Sequence, residues 1–420
     1  MSLQTSPGLP DTGKQPQTAP ENRNSLGLIF FIMLMDIIGI TILSPVAPQI
    51  IMRYSTSALM VNMVPVIYSI GQFIATPFIG KLGDRLGRRP VLLVSLVGQA
   101  LGYFIFAWGG SLTILFLGRL VGGITGGNLS TASAYIADVS KPGERSKNFA
   151  IISSAWSLGL ILGPALGGLF GQFFLEAPAY VAAGITCVTV LLSIFLLPES
   201  LPVEKRVTTP IRLRDFNPII SIVDMARKPG LGALLVVSAL FGFAFNAINS
   251  TAALFIIQKF SAQTWQVSFM LIMAGVFITF TNFFLVPRWV PRFGEKISAV
   301  AGLLGSALLN VVMFFAPFLG SFFVINTLAS GTSAFIFPAL TSLTAERVSS
   351  HEMGELMGVT SAVGSLMNIF GPIASGLVYD HVMMGSPFWM GAIILTFTAY
   401  MLNRTVTNLQ HQGTPAKPEY

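Results

Sequence analysis

Gly80-Lys81-Leu82-Gly83-Asp84-Arg85-Leu86-Gly87-Arg88-Arg89-Pro90 stands between two long apolar runs, 61–80 and 90–109. Four cations surround one acid, and Gly83 and Gly87 permit a tight turn. Each flanking run is long enough to cross about 30 Å of hydrocarbon at about 1.5 Å per residue. A short, strongly basic segment between two such runs reads as the turn joining two membrane helices. That reading sets the fold class for the whole chain.

The composition agrees. Of 420 residues, 53% are hydrophobic and only 10% charged, against about 25% charged in soluble domains. So few charges cannot cover a water-facing surface. Disorder and collagen are excluded by the apolar density and the lack of a glycine period. Cys187 is the single cysteine, which rules out an intrachain disulfide and a cysteine metal cluster.

Further apolar runs complete the map. Spans are expected near 26–48, 61–80, 90–109, 111–137, 148–171 and 178–197, then 231–257, 266–287, 297–317, 320–344, 354–378 and 386–404. The expected organisation is a tail (1–24), a six-helix bundle (25–197), a polar linker (198–230), a second bundle (231–405) and a tail (406–420). The first apolar run is too long for a signal-peptide core and is expected to be retained. Of the 24 Lys and Arg, all but Arg53, Lys259 and Arg119 fall on one side of this map. By the positive-inside rule that side is cytoplasmic and holds both termini. The basic residues are scattered over short loops, so the +7 charge is a topology signal and not a nucleic-acid patch.

The halves repeat. At an offset of 208, Gly163-Pro164 meets Gly371-Pro372, Asp138 meets Glu346, Glu144 meets Glu352 and Gly168 meets Gly376. At 207, Arg85-Leu86-Gly87 meets Arg292-Phe293-Gly294. Two parallel six-helix units are a transporter architecture.

The order G-x-L-x-D-R-x-G-R-R at 80–89, between spans two and three, resembles the signature loop of the major facilitator superfamily. The resemblance implies an all-α membrane fold of twelve helices in two pseudo-symmetric bundles. It also implies that Asp84 latches one end of the molecule at the start of span eleven, with Asp138 as partner of the loop arginines, here Arg88. Gly80, Gly83, Arg85, Gly87 and Arg89 complete the motif. In the second half Arg292, Gly294 and Lys296 remain, but Pro291 stands where the acid would be. In span five, Gly159, Gly163, Gly167 and Gly171 recur every four residues beside Pro164 and Gly168. That spacing lines small residues on one face, and the string resembles the motif of the family's antiporters.

Two charges lie inside spans. Asp36 is about ten residues into span one, roughly 15 Å deep, where an acid costs about 2.5–3.5 kcal/mol unless it faces a cavity or partner. Arg119 begins Arg119-Leu120-Val121-Gly122-Gly123, which resembles the family's span-four motif linked with proton transfer. If the two approach each other, alternation between a dry setting and a cation-neighboured one would load and release a proton. The bland alternative is a static buried ion pair. Gln72, Asn128, Tyr135, Asn246, Asn249, Asn282, Asn310, Asn326 and Asn368 either line a pathway or bond between helices.

Residues 27–300 are most similar to the tetracycline/proton antiporter branch, through Asp36-Ile37-Ile38-Gly39, Pro45-Val46-Ala47-Pro48, Ala134-Tyr135-Ile136-Ala137-Asp138 and Phe216-Asn217-Pro218. Where that branch has acids and a histidine, this chain has Gly102, Ser306 and Ile278, and Asn282 replaces a glutamine. No histidine precedes His351. The resemblance therefore does not carry tetracycline handling over. The expected function is proton-coupled export of a small amphipathic compound from a bacterial inner membrane, by a monomer needing no cofactor or metal. Partners are the substrate, protons and the bilayer, with no nucleic acid. An importer, or a receptor without flux, are the alternatives. No P-loop or zinc-protease motif supports an enzyme.

Overall fold

The computed structural model describes residues 23–140, 144–206, 218–349 and 352–411. Residues 1–22 and 412–420 of the tails, Lys141, the linker stretch with Phe216 and Asn217, and His351 lie outside the described residues. The first half comprises α1 (Arg23–Thr41), α2 (Ala47–Met52), α3 (Ala58–Leu86), α4 (Arg88–Trp108), α5 (Leu112–Thr125), α6 (Asn128–Val139), α7 (Arg145–Phe170) and α8 (Ala177–Leu196). After α9 (Pro218–Ala226) come α10 (Leu231–Phe260), α11 (Thr264–Phe280), α12 (Val286–Phe314), α13 (Leu319–Ser333), α14 (Ile336–Ala345), α15 (Met353–His381) and α16 (Ser386–His411). Among the described residues, 9 helical stretches are long and apolar enough to cross a membrane, and one of these, Thr264–Phe314, holds two expected spans. With the shorter apolar Leu26–Thr41 and with α16, they carry the twelve-span, two-bundle architecture.

Three spans are not the single rods expected. Span one stops at Thr41 and turns before α2, where Pro45 and Pro48 cannot continue the hydrogen-bond ladder. Span four breaks at Gly126-Gly127, and span ten at Ala334-Phe335. These two breaks lie 208 residues apart, the offset of the repeat. Irregular backbone at membrane depth survives only where protein or a cavity satisfies it. Here the Gln72 amide donates to the Gly126 carbonyl at 2.8 Å.

The 80–90 segment is also more helical than expected. Gly83 lies inside α3, and the turn is Gly87 alone, at φ 109°. Its repeat counterpart Gly294 sits at φ 79° within a kink of α12. Only glycine adopts such angles without strain, so the turn survives in the second half although the acid has gone.

Helices of the same half approach closely through glycine. A Cβ on Gly102 would lie 2.7 Å from the Gly118 carbonyl oxygen and 2.8 Å from the Gly122 nitrogen, binding α4 to α5. The span-five glycines do the same toward α1. Gly159 faces Ile37, Gly163 faces Thr41 and Gly167 faces the Ile42 carbonyl, while Thr41 Oγ1 donates to the Gly159 carbonyl at 3.0 Å.

The two halves meet through α3 against α15 and α7 against α11, most tightly at the end away from the basic segment. Asp380, closing α15, caps the start of α3: it accepts from the Ala58 amide at 2.7 Å, the Leu59 amide at 3.1 Å and the Ser57 hydroxyl at 2.5 Å. Asn62 donates to the Pro372 carbonyl at 2.9 Å. Thr264 donates to Gln49 at 2.8 Å, and Gly168 packs on Ser268.

Candidate functional site

The break in span four builds the site. Because α6 starts afresh at Asn128, this side chain is aimed sideways into the bundle, where it is fully buried. Its amide donates to Asp36 Oδ1 at 2.8 Å and to Gln99 Oε1 at 3.1 Å. Gln99 in turn donates to the Tyr103 hydroxyl at 3.1 Å. Asp36 is only 7% exposed. A buried polar chain of this kind spans α1, α4 and α6, and ties the carboxyl to neutral amides.

Arg119 is not part of it. Among the described residues Asp36 and Arg119 form no ion pair, so the static buried pair, the bland alternative, is not what the structure has. The guanidinium rests on aromatic faces instead. It sits 4.8 Å from the Tyr68 ring centre and 6.0 Å from that of Phe106. An aromatic face attracts a cation, more strongly when water is excluded.

At the basic end, Asp84 pairs with Arg88 at 2.6 Å, and Arg88 Nε donates to Asp138 Oδ2 at 3.1 Å. Asp84 does not reach α15 among the described residues. Ahead of α15 stands Glu352, paired with Lys228 at 2.7 Å. The Lys228 ammonium and the Ser349 amide hold the Glu352 carboxyl below its ordinary range. Sequence reasoning missed Glu199. Its carboxylate accepts from the Arg88 and Arg89 amides, at 2.8 and 3.3 Å, and so caps α4. An acid at the close of span six, on the face carrying the basic turn, was the available signal. Gly80 faces Ser130, Arg85 is exposed, and Arg89 donates to the Ile194 carbonyl.

The remaining polar candidates separate. Tyr135 is buried and donates to the Pro198 carbonyl at 3.1 Å. Asn246 and Asn249 bond carbonyls of their own helix, those of Gly242 and Phe245, each at 2.8 Å. Asn282 is exposed in a π-helical turn, Thr281–Leu285, between α11 and α12. Pro164 lies inside α7 and does not end it. Gln99, Tyr68 and Tyr103 were missed, because a lone glutamine or tyrosine in an apolar run carries no directional signal.

Asn128→Ala tests the amide relay. Removing its donor takes away the 2.8 Å hydrogen bond to Asp36 Oδ1, at a cost of about 1–3 kcal/mol. The thermal midpoint of the purified protein is expected to fall by several degrees, whereas Asn249→Ala, which only loses a bond to its own helix, is expected to leave it unchanged.

Comparison with known proteins agrees with this fold. The profile of the Major Facilitator Superfamily matches residues 29–294 and 234–419. The tetracycline resistance protein, class C, of Escherichia coli is 32% identical over 364 residues, covering 86% of this chain and 90% of that protein. Multidrug resistance protein 2 of Bacillus subtilis (strain 168) is 27% identical, covering 85% and 90%. The crystal structure of the human organic anion transporter MFSD10 (TETRAN) superposes with a TM-score of 0.70 at 25% identity, covering 91% of this chain and 100% of the other. Two homologous six-helix bundles, the signature turn at Gly87 and these similarities make the chain a membrane transporter belonging to the major facilitator superfamily.

Proposed function

We propose that the protein exports a small amphipathic compound in exchange for protons, by alternating access. The observation that carries this reading is Asp36, a membrane-depth carboxyl held by the neutral Asn128 amide, with no cation in ion-pair range among the described residues. An amide donor can hold either protonation state, since a protonated acid keeps acceptor capacity. A cation partner would instead lock the anion. Asp36 can therefore take up and release a proton without dismantling its surroundings. The similarity to tetracycline and multidrug resistance proteins supports efflux of drug-like cargo.

The basic end faces the cytoplasm by the positive-inside rule. The tight contacts of α3 with α15 then close the outer end, and cargo enters from the cytoplasm. Proton release from Asp36 favours capture there, and protonation from outside favours return. The membrane potential adds about 2.3 kcal/mol per charge per 100 mV. At the basic end Asp84, Arg88 and Asp138 are proposed to latch the opposite state.

Purified protein in proteoliposomes with an imposed pH gradient tests the assignment. A panel of amphipathic drugs and metabolites is followed together with internal pH. Cargo movement against its gradient, with protons moving the other way, is expected. Cargo movement in the same direction as protons would reverse the assignment to import.

The outer closure gives a further expected outcome. Asp380→Ala removes a cap worth about 0.5–2 kcal/mol, which shifts the balance of states a few-fold to about 30-fold. In a Cys187→Ser background, a cysteine at Val61, one turn inside that cap, should then react faster with a membrane-impermeant maleimide applied outside. Unchanged labelling would show that Asp380 does not hold the outer end shut.

A further inference from the structure

The two basic turns are repeats, yet the protein neutralises only one of them. In the first, Arg88 pairs with Asp84 and Asp138, and Glu199 accepts from the Arg88 and Arg89 amides. In the second, at an offset of 207, Arg288 stands for Lys81, Arg292 for Arg85 and Lys296 for Arg89, while Pro291 replaces Asp84. Glu295 replaces Arg88 but turns toward α14, where it accepts from the Ser342 hydroxyl at 3.4 Å. Lys296 donates to Thr407 of α16 at 2.8 Å, which brings in Arg404, one turn earlier on that helix. Among the described residues no acid lies in ion-pair range of Arg288, Arg292, Lys296 or Arg404. Arg288 and Arg404 lean back one turn onto aromatic rings, 6.0 Å from the centre of Phe284 and 5.7 Å from that of Tyr400. Both rings are exposed, as are Ile297 and Phe397 on the same two helices, α12 and α16.

We propose that this second turn binds an anionic phospholipid of the leaflet it faces, whose phosphate takes the place of the lost acid and whose acyl chain lies on the exposed rings. Depth supports the assignment. Counted from Thr264 at about 1.5 Å per residue, about 30 Å of hydrocarbon ends near Phe284. Arg288 and Arg292 then stand among the headgroups, where aromatic side chains commonly anchor a helix end. A guanidinium fork pairs with phosphate oxygens by charge-assisted bonds. Gly294, at φ 79°, keeps Arg292 and Lys296 on either side of one kink. A soluble anion would meet the same cations but gain nothing from the rings, which selects a lipid. The first bundle thus satisfies its basic turn from within, and the second satisfies its own from the membrane.

The test is lipid competition at the native Trp289, which packs on Phe293 with ring centres 4.4 Å apart and is 43% exposed. The full chain carrying Trp108→Phe, Trp156→Phe, Trp265→Phe and Trp389→Phe is reconstituted in phosphatidylcholine bilayers. Brominated phosphatidylglycerol or brominated phosphatidylcholine is added at equal mole fraction, and bromine quenches the indole on contact. Phosphatidylglycerol is expected to bind beside Trp289 about fivefold more tightly or better, the gain of one or more surface cations. Arg288→Gln with Arg292→Gln should cut that ratio to about twofold or less. Arg288→Lys with Arg292→Lys should keep most of it, because a phosphate also accepts a point charge. A variant that keeps Trp108 alone, at the far end of α4, should show no preference. Equal quenching by the two lipids at Trp289, the same preference at Trp108, or a preference unchanged in the Gln pair would each overturn the site. Displacement by excess glycerol phosphate would overturn it too, since the site would then be one for a soluble anion.

Discussion

Asp36→Asn is expected to abolish proton-coupled efflux, by about 100-fold or more, while the protein still reaches the membrane. The substitution is nearly isosteric. Its amide oxygen can still accept from Asn128, so the buried chain through Gln99 to Tyr103 is retained. What disappears is the ability to exist in a charged and a neutral form. Exchange of labelled for unlabelled cargo, which needs no net proton movement, should persist in the variant. Flux driven by a pH gradient should not. Full gradient-driven efflux by Asp36→Asn would place the proton carrier elsewhere, and loss of both activities would make Asp36 a cargo contact or a structural group.

Gly102→Asp is expected to remove the protein from the membrane altogether. The tetracycline-antiporter resemblance suggests that an acid here would restore a missing group. The packing forbids it. Gly102 and Gly118 press backbone on backbone, and a Cβ on either would lie 2.7 Å from the other's carbonyl oxygen. Overpacking costs about 1–3 kcal/mol, and an unpaired charge buried at the α4–α5 contact costs several more. Against a net stability of about 5–15 kcal/mol, most of the folded population is lost. Gly364→Ala is the control, since nothing lies within 4 Å of a Cβ there, and its expression should match wild type. Normal membrane levels of Gly102→Asp would mean that α4 and α5 are less tightly apposed than described.

The span map was legible because membrane helices announce themselves by apolar length, and the repeat because Gly-Pro pairs and basic turns recur in register. The breaks were not. Gly126-Gly127 is one glycine pair among 41 glycines, and at Ala334-Phe335 the breaker, Pro338, stands four residues downstream, where it cannot donate back to the Ala334 carbonyl. The signature segment showed its charges but not its shape, since a basic helix end and a basic loop have the same composition. Asp36 could be singled out from depth and cost. Its partner could not. Opposite charges in two spans suggest an ion pair, yet which face each helix presents is decided by the glycine contacts of α4 and α5. These turn Arg119 toward Tyr68 and Phe106.

The Gly87 turn has a mechanical meaning. One residue joins α3 to α4, and Glu199 clasps the first amides of α4 from the chain leading out of α8. There is no slack between them. Any displacement of α3 would have to carry the start of α4 and Glu199 with it. A single residue inserted beside Gly87 is expected to uncouple α4 from α3 while leaving every helix intact.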